Sequence, residues 1–129
     1  MMLDASALLA ILMKEADDLL IAERIGAAEA PFTSPLAIYE TVVRLMRVRS
    51  IPADEAEGAT RDLLRVFDAK VVAITDDMTP LALNAFERYG RGRHPAALNF
   101  GDCFAYACAR AHGAPLLYKG NDFARTDLA

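Results

Sequence analysis

The chain has 129 residues, with 18 acidic and 14 basic side chains, a formal net charge of −4, 54% hydrophobic residues, two cysteines and no tryptophan. Such a length suits one core burying roughly two-thirds of the unfolded surface, so one domain over residues 1–129 is expected, with most of the chain ordered. No apolar run approaches the ~18 residues of a membrane span, and the acidic balance argues against coating nucleic acid through overall charge while leaving room for a local basic groove.

Met1 to Leu3 is a short apolar start ended by Asp4, and from Ser6 apolar residues recur at helical spacing, Ala7 to roughly Gly26, which predicts a strand and then one helix. No basic segment or small-residue cleavage site flanks the apolar Ala5 to Met13, so a secretory signal is a poor reading. Pro31-Phe32-Thr33 forms a second short strand. Ser34 then suits an N-cap and Pro35 the first helical position, where its missing N–H costs nothing, and helix follows through about Val48. Pro52 and Asp54 open another helix to Ala69, with Ala56, Ala59, Leu63 and Phe67 along one side. Val71 to Ile74 reads as a β-branched strand and Leu81 to Tyr89 as helix, with Gly90 where a left-handed C-cap belongs. After a loop from Arg91 to Asn99, a long helix runs from Gly101 through Ala111, and Leu116 to Tyr118 make the last strand.

Short apolar strands separated by helices imply parallel pairing with both faces covered, an α/β fold built as a three-layer α/β/α sandwich around a central parallel sheet. In open sheets of this kind the site lies beyond the carboxyl ends of the strands. Cys103 and Cys108 stand outside CxxC spacing near an apolar stretch and read as reduced core residues of a cytoplasmic protein.

Acids follow the strands. Asp4 directly succeeds the first, where it serves either as a helix N-cap or as a site residue. Asp102, at the start of the last long helix, equally complements the positive end of the helix dipole. Glu40 lies within an apolar helical stretch, where an unpaired carboxylate is expensive; its ordinary explanation is an i,i+4 pair with Arg44. Asp122 follows the last strand through Lys119-Gly120-Asn121 and alone is a plain turn aspartate. Jointly they suggest more. Carboxylates converging at one sheet end repel one another unless a hard divalent cation neutralises them, and Mg²⁺ or Mn²⁺ prefers such oxygen ligands.

The start Met-Leu-Asp-Ala-Ser-Ala-Leu-Leu-Ala-Ile-Leu, the helix Ser-Pro-Leu-Ala-Ile-Tyr-Glu, the block Leu-Asn-Phe-Gly-Asp-Cys-Phe-Ala-Tyr-Ala and the end Pro-Leu-Leu-Tyr-Lys-Gly-Asn-Asp-Phe, in order over the chain, resemble PIN-domain ribonucleases. More narrowly, the chain resembles the VapC-type toxins of bacterial VapBC toxin–antitoxin pairs. That resemblance implies Mg²⁺-dependent endonucleolytic cleavage of RNA, with Asp4, Glu40 and Asp102 at the family's acidic positions, Ser6 as the small hydroxyl residue beside the first Asp, and Asp122 as the fourth acid with Asn121 in support, although the family often places that acid nearer the strand end, where this chain has Gly120 or Asn121. Asp4 and Asp102, with Glu40 directly or through water, would hold the metal, and Asp122 would bind a second ion or position the attacking water. A homodimer and a cognate VapB-type antitoxin are implied as partners, with no membrane; Leu9, Leu12, Leu20 and Ile38 are interface candidates, each with core packing as its alternative.

Arg44, Arg47 and Arg49 form an acid-free run beginning on the stripe of Glu40, and Arg88, Arg91, Arg93 and His94 precede the Asp102 helix. Arg44, Arg47, Arg91 and Arg93 are therefore the candidate phosphate contacts on either side of the cut, as against solvated surface charge. Two other functions compete: a receiver-type phosphoacceptor domain, suggested by Asp4, Asp76 and Lys119, and a catalytically silent PIN-like interaction module. A receiver needs an adjacent acidic pair after strand one, where this chain has Asp4-Ala5, and a dehalogenase-like phosphatase would need a second Asp where Ser6 stands.

Overall fold

Residues 1–129 are described by a computed structural model, in the order β1 (Met2–Leu3), α1 (Ala5–Leu12), α2 (Asp18–Gly26), β2 (Phe32–Thr33), α3 (Pro35–Arg49), α4 (Ala53–Val66), β3 (Lys70–Val71), α5 (Met78–Tyr89), α6 (Phe100–Ala111) and β4 (Leu116–Leu117). The four strands form one sheet of order β3-β2-β1-β4, and every pair is parallel. Met2 lies opposite both Phe32 and Leu116, and Leu3 opposite Leu117.

Side chains alternate across a strand, so this register sorts the strand residues into two layers. Met2, Phe32 and Leu116 pack with α5 and α6 on one face. Leu3 and Leu117 pack on the other, with Leu8 of α1, Ile21 and Ile25 of α2, Ile38 of α3 and Leu64 of α4. The three-layer sandwich is thus observed. From β1 the chain steps outward on one side to β2 and β3, then returns to β4 on the other side. The crevice where strand order reverses therefore lies between the carboxyl ends of β1 and β4, where Asp4 and Lys119–Asp122 emerge.

Several element boundaries differ from expectation for physical reasons. The single helix expected from Ala7 to Gly26 is two, broken where Lys14 turns left-handed (φ 51). The polar run Lys14-Glu15-Ala16-Asp17-Asp18 offers nothing to bury, and Lys119 from the end of β4 instead pairs with Glu15 and with Asp17. Strand β3 is Lys70–Val71 rather than Val71–Ile74; it is an exposed edge, and Ile74 lies at the surface. Helix α4 stops at Val66, short of Ala69, and buries Ala56, Thr60 and Leu64, leaving Ala59 exposed. Helix α5 begins at Met78, three residues before Leu81, because Pro80 sits in a first turn that has no use for its N–H. Gly90 is extended (φ −69), not left-handed; a Cβ there would collide with the carbonyl and ring of Phe86. Close packing accounts for that glycine.

Cys103 and Cys108 are free and buried, as expected, and burial pushes the Cys108 thiol up to about 11. No helix is long and apolar enough to cross a membrane.

Candidate active site

Asp4 ends β1 and caps α1, so the capping reading of this residue holds, and its side chain also lines the cleft described below. Its Oδ2 accepts hydrogen bonds from the Ser6 backbone N–H (3.1 Å) and the Ser6 hydroxyl (2.5 Å). The same hydroxyl oxygen accepts the Lys119 N–H at 2.9 Å. Ser6 therefore fixes the Asp4 rotamer and ties it to the end of β4, across the reversal point of the sheet. Asp4 is only 6% exposed. Burial raises its proton affinity, the Ser6 bonds oppose this, and the charge of Asp122 adds to it.

Asp102 arrives by similar logic at the third position of α6. Its backbone N–H donates to Asn99 Oδ1 (2.9 Å), and its own Oδ2 accepts the Asn99 N–H (3.0 Å), a reciprocal capping box. Asn99 is thus a positioning residue missed in the sequence reading, although Asn followed three residues on by an acid is a legible capping signal. Burial raises the Asp102 carboxyl to about 6, with the Asn99 bond opposing and the charges of Asp4 and Asp122 reinforcing it.

Glu40 comes from α3, whose start follows expectation: Ser34 Oγ accepts the Ala37 N–H at 3.1 Å and Pro35 takes the first turn. The half-buried carboxyl is raised to about 7, first by burial and then by the charges of Asp4 and Asp102. The i,i+4 ion pair with Arg44 does not form; the arginines paired with carboxylates are Arg61, Arg65, Arg88 and Arg110. Asp122 reaches the same place from the loop after β4, following a left-handed Gly120 (φ 98).

Asp4, Glu40, Asp102 and Asp122 line one cleft of about 610 Å³, together with Ser6, Asn99, Tyr39, Arg44 and Arg47. None of the four carboxylates is paired with a basic side chain, and no three of them close on a common point. The donors are all oxygen, and the hydrogen bonds to Asp4 and Asp102 engage one oxygen of each. This chemistry fits a hard divalent cation. Asp4 and Asp102 would hold it, with Glu40 and Asp122 completing the shell directly or through water.

Not every expected residue joins the cleft. Arg44 and Arg47 line it, exposed and without an ion pair. Arg91 lines a neighbouring apolar groove of about 450 Å³ that shares Asn99 with the cleft, and its charge reaches Asp102. Arg93 lies over the Phe86 ring at 5.3 Å and is not among the residues lining the cleft. Asn121 is exposed and outside the cleft lining, so the structure gives it no supporting contact there. His94 accepts the Ala96 N–H through Nδ1, and His112 caps α6 beside Phe32. Among the interface candidates, Ile38 is core, Leu9 and Leu12 are half-buried, and Leu20 alone is exposed. Of the receiver reading's residues, Asp76 lies at the surface and accepts a bond from Thr79 of its own turn, and Lys119 is held by Glu15 and Asp17.

A parallel sheet with helices on both faces and an acidic cleft at its reversal point defines the class, a three-layer α/β protein with a cluster of carboxylates. A family model for the PIN domain matches residues 1–128. The chain is 42% identical over 137 residues to a VapC ribonuclease of Rhizobium meliloti, covering 97% of this chain and 96% of that protein. It is 39% identical over 130 residues to a ribonuclease VapC of Mycolicibacterium smegmatis, covering 100% and 98% of the two chains. Among solved structures it superposes on Mycobacterium tuberculosis VapC20, described as a sarcin-ricin loop cleaving toxin, with TM-score 0.74 at 19% identity, covering 95% of this chain and 92% of that one. A toxin–antitoxin complex from Klebsiella pneumoniae matches with TM-score 0.68 at 19% identity, over 98% and 92% of the chains. The chain belongs to the PIN-domain family, among its VapC ribonucleases.

Proposed function

We propose that the chain is a divalent-metal-dependent endoribonuclease acting as the toxin of a toxin–antitoxin pair. The observation that carries this reading is the set of four carboxylates on one cleft, two of them buried, none paired with a base. Relatives named as VapC ribonucleases support it, as does the fold shared with a toxin–antitoxin complex.

Mg²⁺, or Mn²⁺ in its place, would activate a water, polarise the scissile phosphodiester and stabilise the leaving oxygen. Asp4 is held ready by Ser6, and Asp102 by Asn99, so neither side chain needs to reorganise on binding. Glu40 and Asp102 bind protons near neutrality and must give them up to a cation, so metal affinity rises with pH. Asp122 orients the attacking water, and Arg44 and Arg47 take phosphates along one side of the cleft. Arg91 serves the other side, where its charge already reaches Asp102. A homodimer, a VapB-type antitoxin and a cytoplasmic location belong to the same reading; exposed Leu19 and Leu20 on α2, and Leu83 and Phe100 beside the apolar groove, are surfaces free for such partners.

The test uses purified, antitoxin-free protein and total RNA. Cleavage with Mg²⁺ or Mn²⁺, its arrest by chelator, and its loss in folded Asp4→Asn and Asp102→Asn are expected. Cleavage that survives both substitutions would refute the reading.

A further inference from the structure

Gly101, the second residue of α6, is buried, and its φ lies outside the left-handed region in which Gly92, Gly113 and Gly120 are found. The backbone therefore makes no demand for glycine there, and within a helix glycine is a poorer choice than alanine. A Cβ built on Gly101 would come 2.5 Å from both Cδ and Oε1 of Glu40, and closer still to Oε2. The helical glycines Gly26 and Gly58 meet nothing within 4 Å, so this collision is particular to Gly101.

We propose that Gly101 is a positioning residue for Glu40: the side chain missing from the first turn of α6 is the space in which the Glu40 carboxylate rests. This proposal builds on the nuclease reading above. Gly101 immediately precedes Asp102, so one helical turn presents Asp102 to the cleft and opens the seat for Glu40 arriving from α3. Seated there, Glu40 lies close enough to Asp4 and Asp102 to feel both charges, and it faces the positive end of the α6 dipole. Any larger residue at position 101 evicts the carboxylate, because the Glu40 terminus is flexible whereas the helix backbone is fixed.

Gly101→Ala separates this role from a structural one. Helix propensity favours the substitution, so the thermal midpoint is expected to stay level or rise. The dissociation constant for Mn²⁺, measured by calorimetry on the RNA-free chain, is expected to rise about tenfold, the scale seen when a group that orients a metal ligand is lost. RNA cleavage should fall alongside. In a Glu40→Gln background, Gly101→Ala should change Mn²⁺ affinity no further. Unaltered Mn²⁺ affinity in the single variant, or an equal additional loss in the Glu40→Gln background, would overturn the proposal. An unsubstituted chain that neither binds Mn²⁺ nor cleaves RNA would overturn the nuclease reading, and the proposal with it.

Discussion

Replacing Glu40 by glutamine should stabilise the folded chain in chelator at alkaline pH while abolishing cleavage. The Glu40 carboxyl sits at about 7 against an ordinary 4.5, because burial and the charges of Asp4 and Asp102 disfavour its ionised form. Between those two values the folded chain holds a proton that the unfolded chain has released. Stability therefore falls as pH rises through this window, the cost being absent below about 4.5 and full above about 7. At roughly 1.4 kcal/mol for each tenfold change in proton affinity, the ceiling is about 3 kcal/mol. The side chain is only half-buried and water screens its charge, so about 1–2 kcal/mol is the expected part. Urea denaturation of both proteins at pH 8 should show Glu40→Gln more stable by that amount, with a thermal midpoint higher by about 3–8 °C. At pH 5 the difference should shrink towards zero. Saturating Mg²⁺ should narrow the gap at pH 8, since the parent binds the ion more tightly and is stabilised the more by mass action. A variant less stable than the parent at both pH values, or a gain indifferent to pH, would refute the reasoning.

Asp102→Asn keeps an acceptor for the Asn99 N–H and removes a carboxyl raised to about 6, so in chelator at pH 8 it should melt no lower than the parent, whereas Asp102→Ala breaks the capping box and should stand about 1 kcal/mol below Asp102→Asn by urea denaturation. Ser6→Ala removes both the hydroxyl bond to Asp4 and the acceptor of the Lys119 N–H; a loss of about 1–2 kcal/mol is expected, with slower cleavage. Arg44 and Arg47 form no ion pairs, so replacing both by alanine should leave the thermal midpoint unchanged. Titrating RNA binding against salt should then give a log–log slope shallower by about 1–2.

Much of the site was legible because each acid occupies a position that chain chemistry marks. Asp4 and Asp122 follow apolar strands, Asp102 opens a capped helix, and Glu40 interrupts an apolar stripe where charge is costly. The layered fold was legible from short apolar runs alternating with helical stretches, and β1, β2 and β4 are indeed buried parallel strands. What escaped depends on contacts distant in sequence. The break at Lys14 falls in a polar run, and the pairing of Lys119 back to Glu15 and Asp17 that accompanies it is a contact no local pattern announces. Gly90 looked like a cap because glycine usually ends a helix through its left-handed freedom, yet here Phe86 packing decides it. Arg93 sits in a basic run that suggests a phosphate contact, and its stacking over Phe86 is a further contact that the run does not announce. The space that Gly101 leaves for Glu40 becomes visible only once α3 and α6 are side by side.

The chemistry of the RNA ends tests the carboxylate centre most directly. On the proposed reading, attack by a water activated at a metal held by Asp4, Glu40, Asp102 and Asp122 would expel the 3′ oxygen and leave a 5′-phosphate and a 3′-hydroxyl. Attack by the neighbouring 2′-hydroxyl, the route open to a site without such a centre, leaves a 2′,3′-cyclic phosphate and a 5′-hydroxyl. Products formed with Mg²⁺ should therefore be ligatable at their 5′ ends without prior phosphorylation. Cyclic phosphate termini, formed equally well in chelator, would contradict the assignment of these four carboxylates as the catalytic centre.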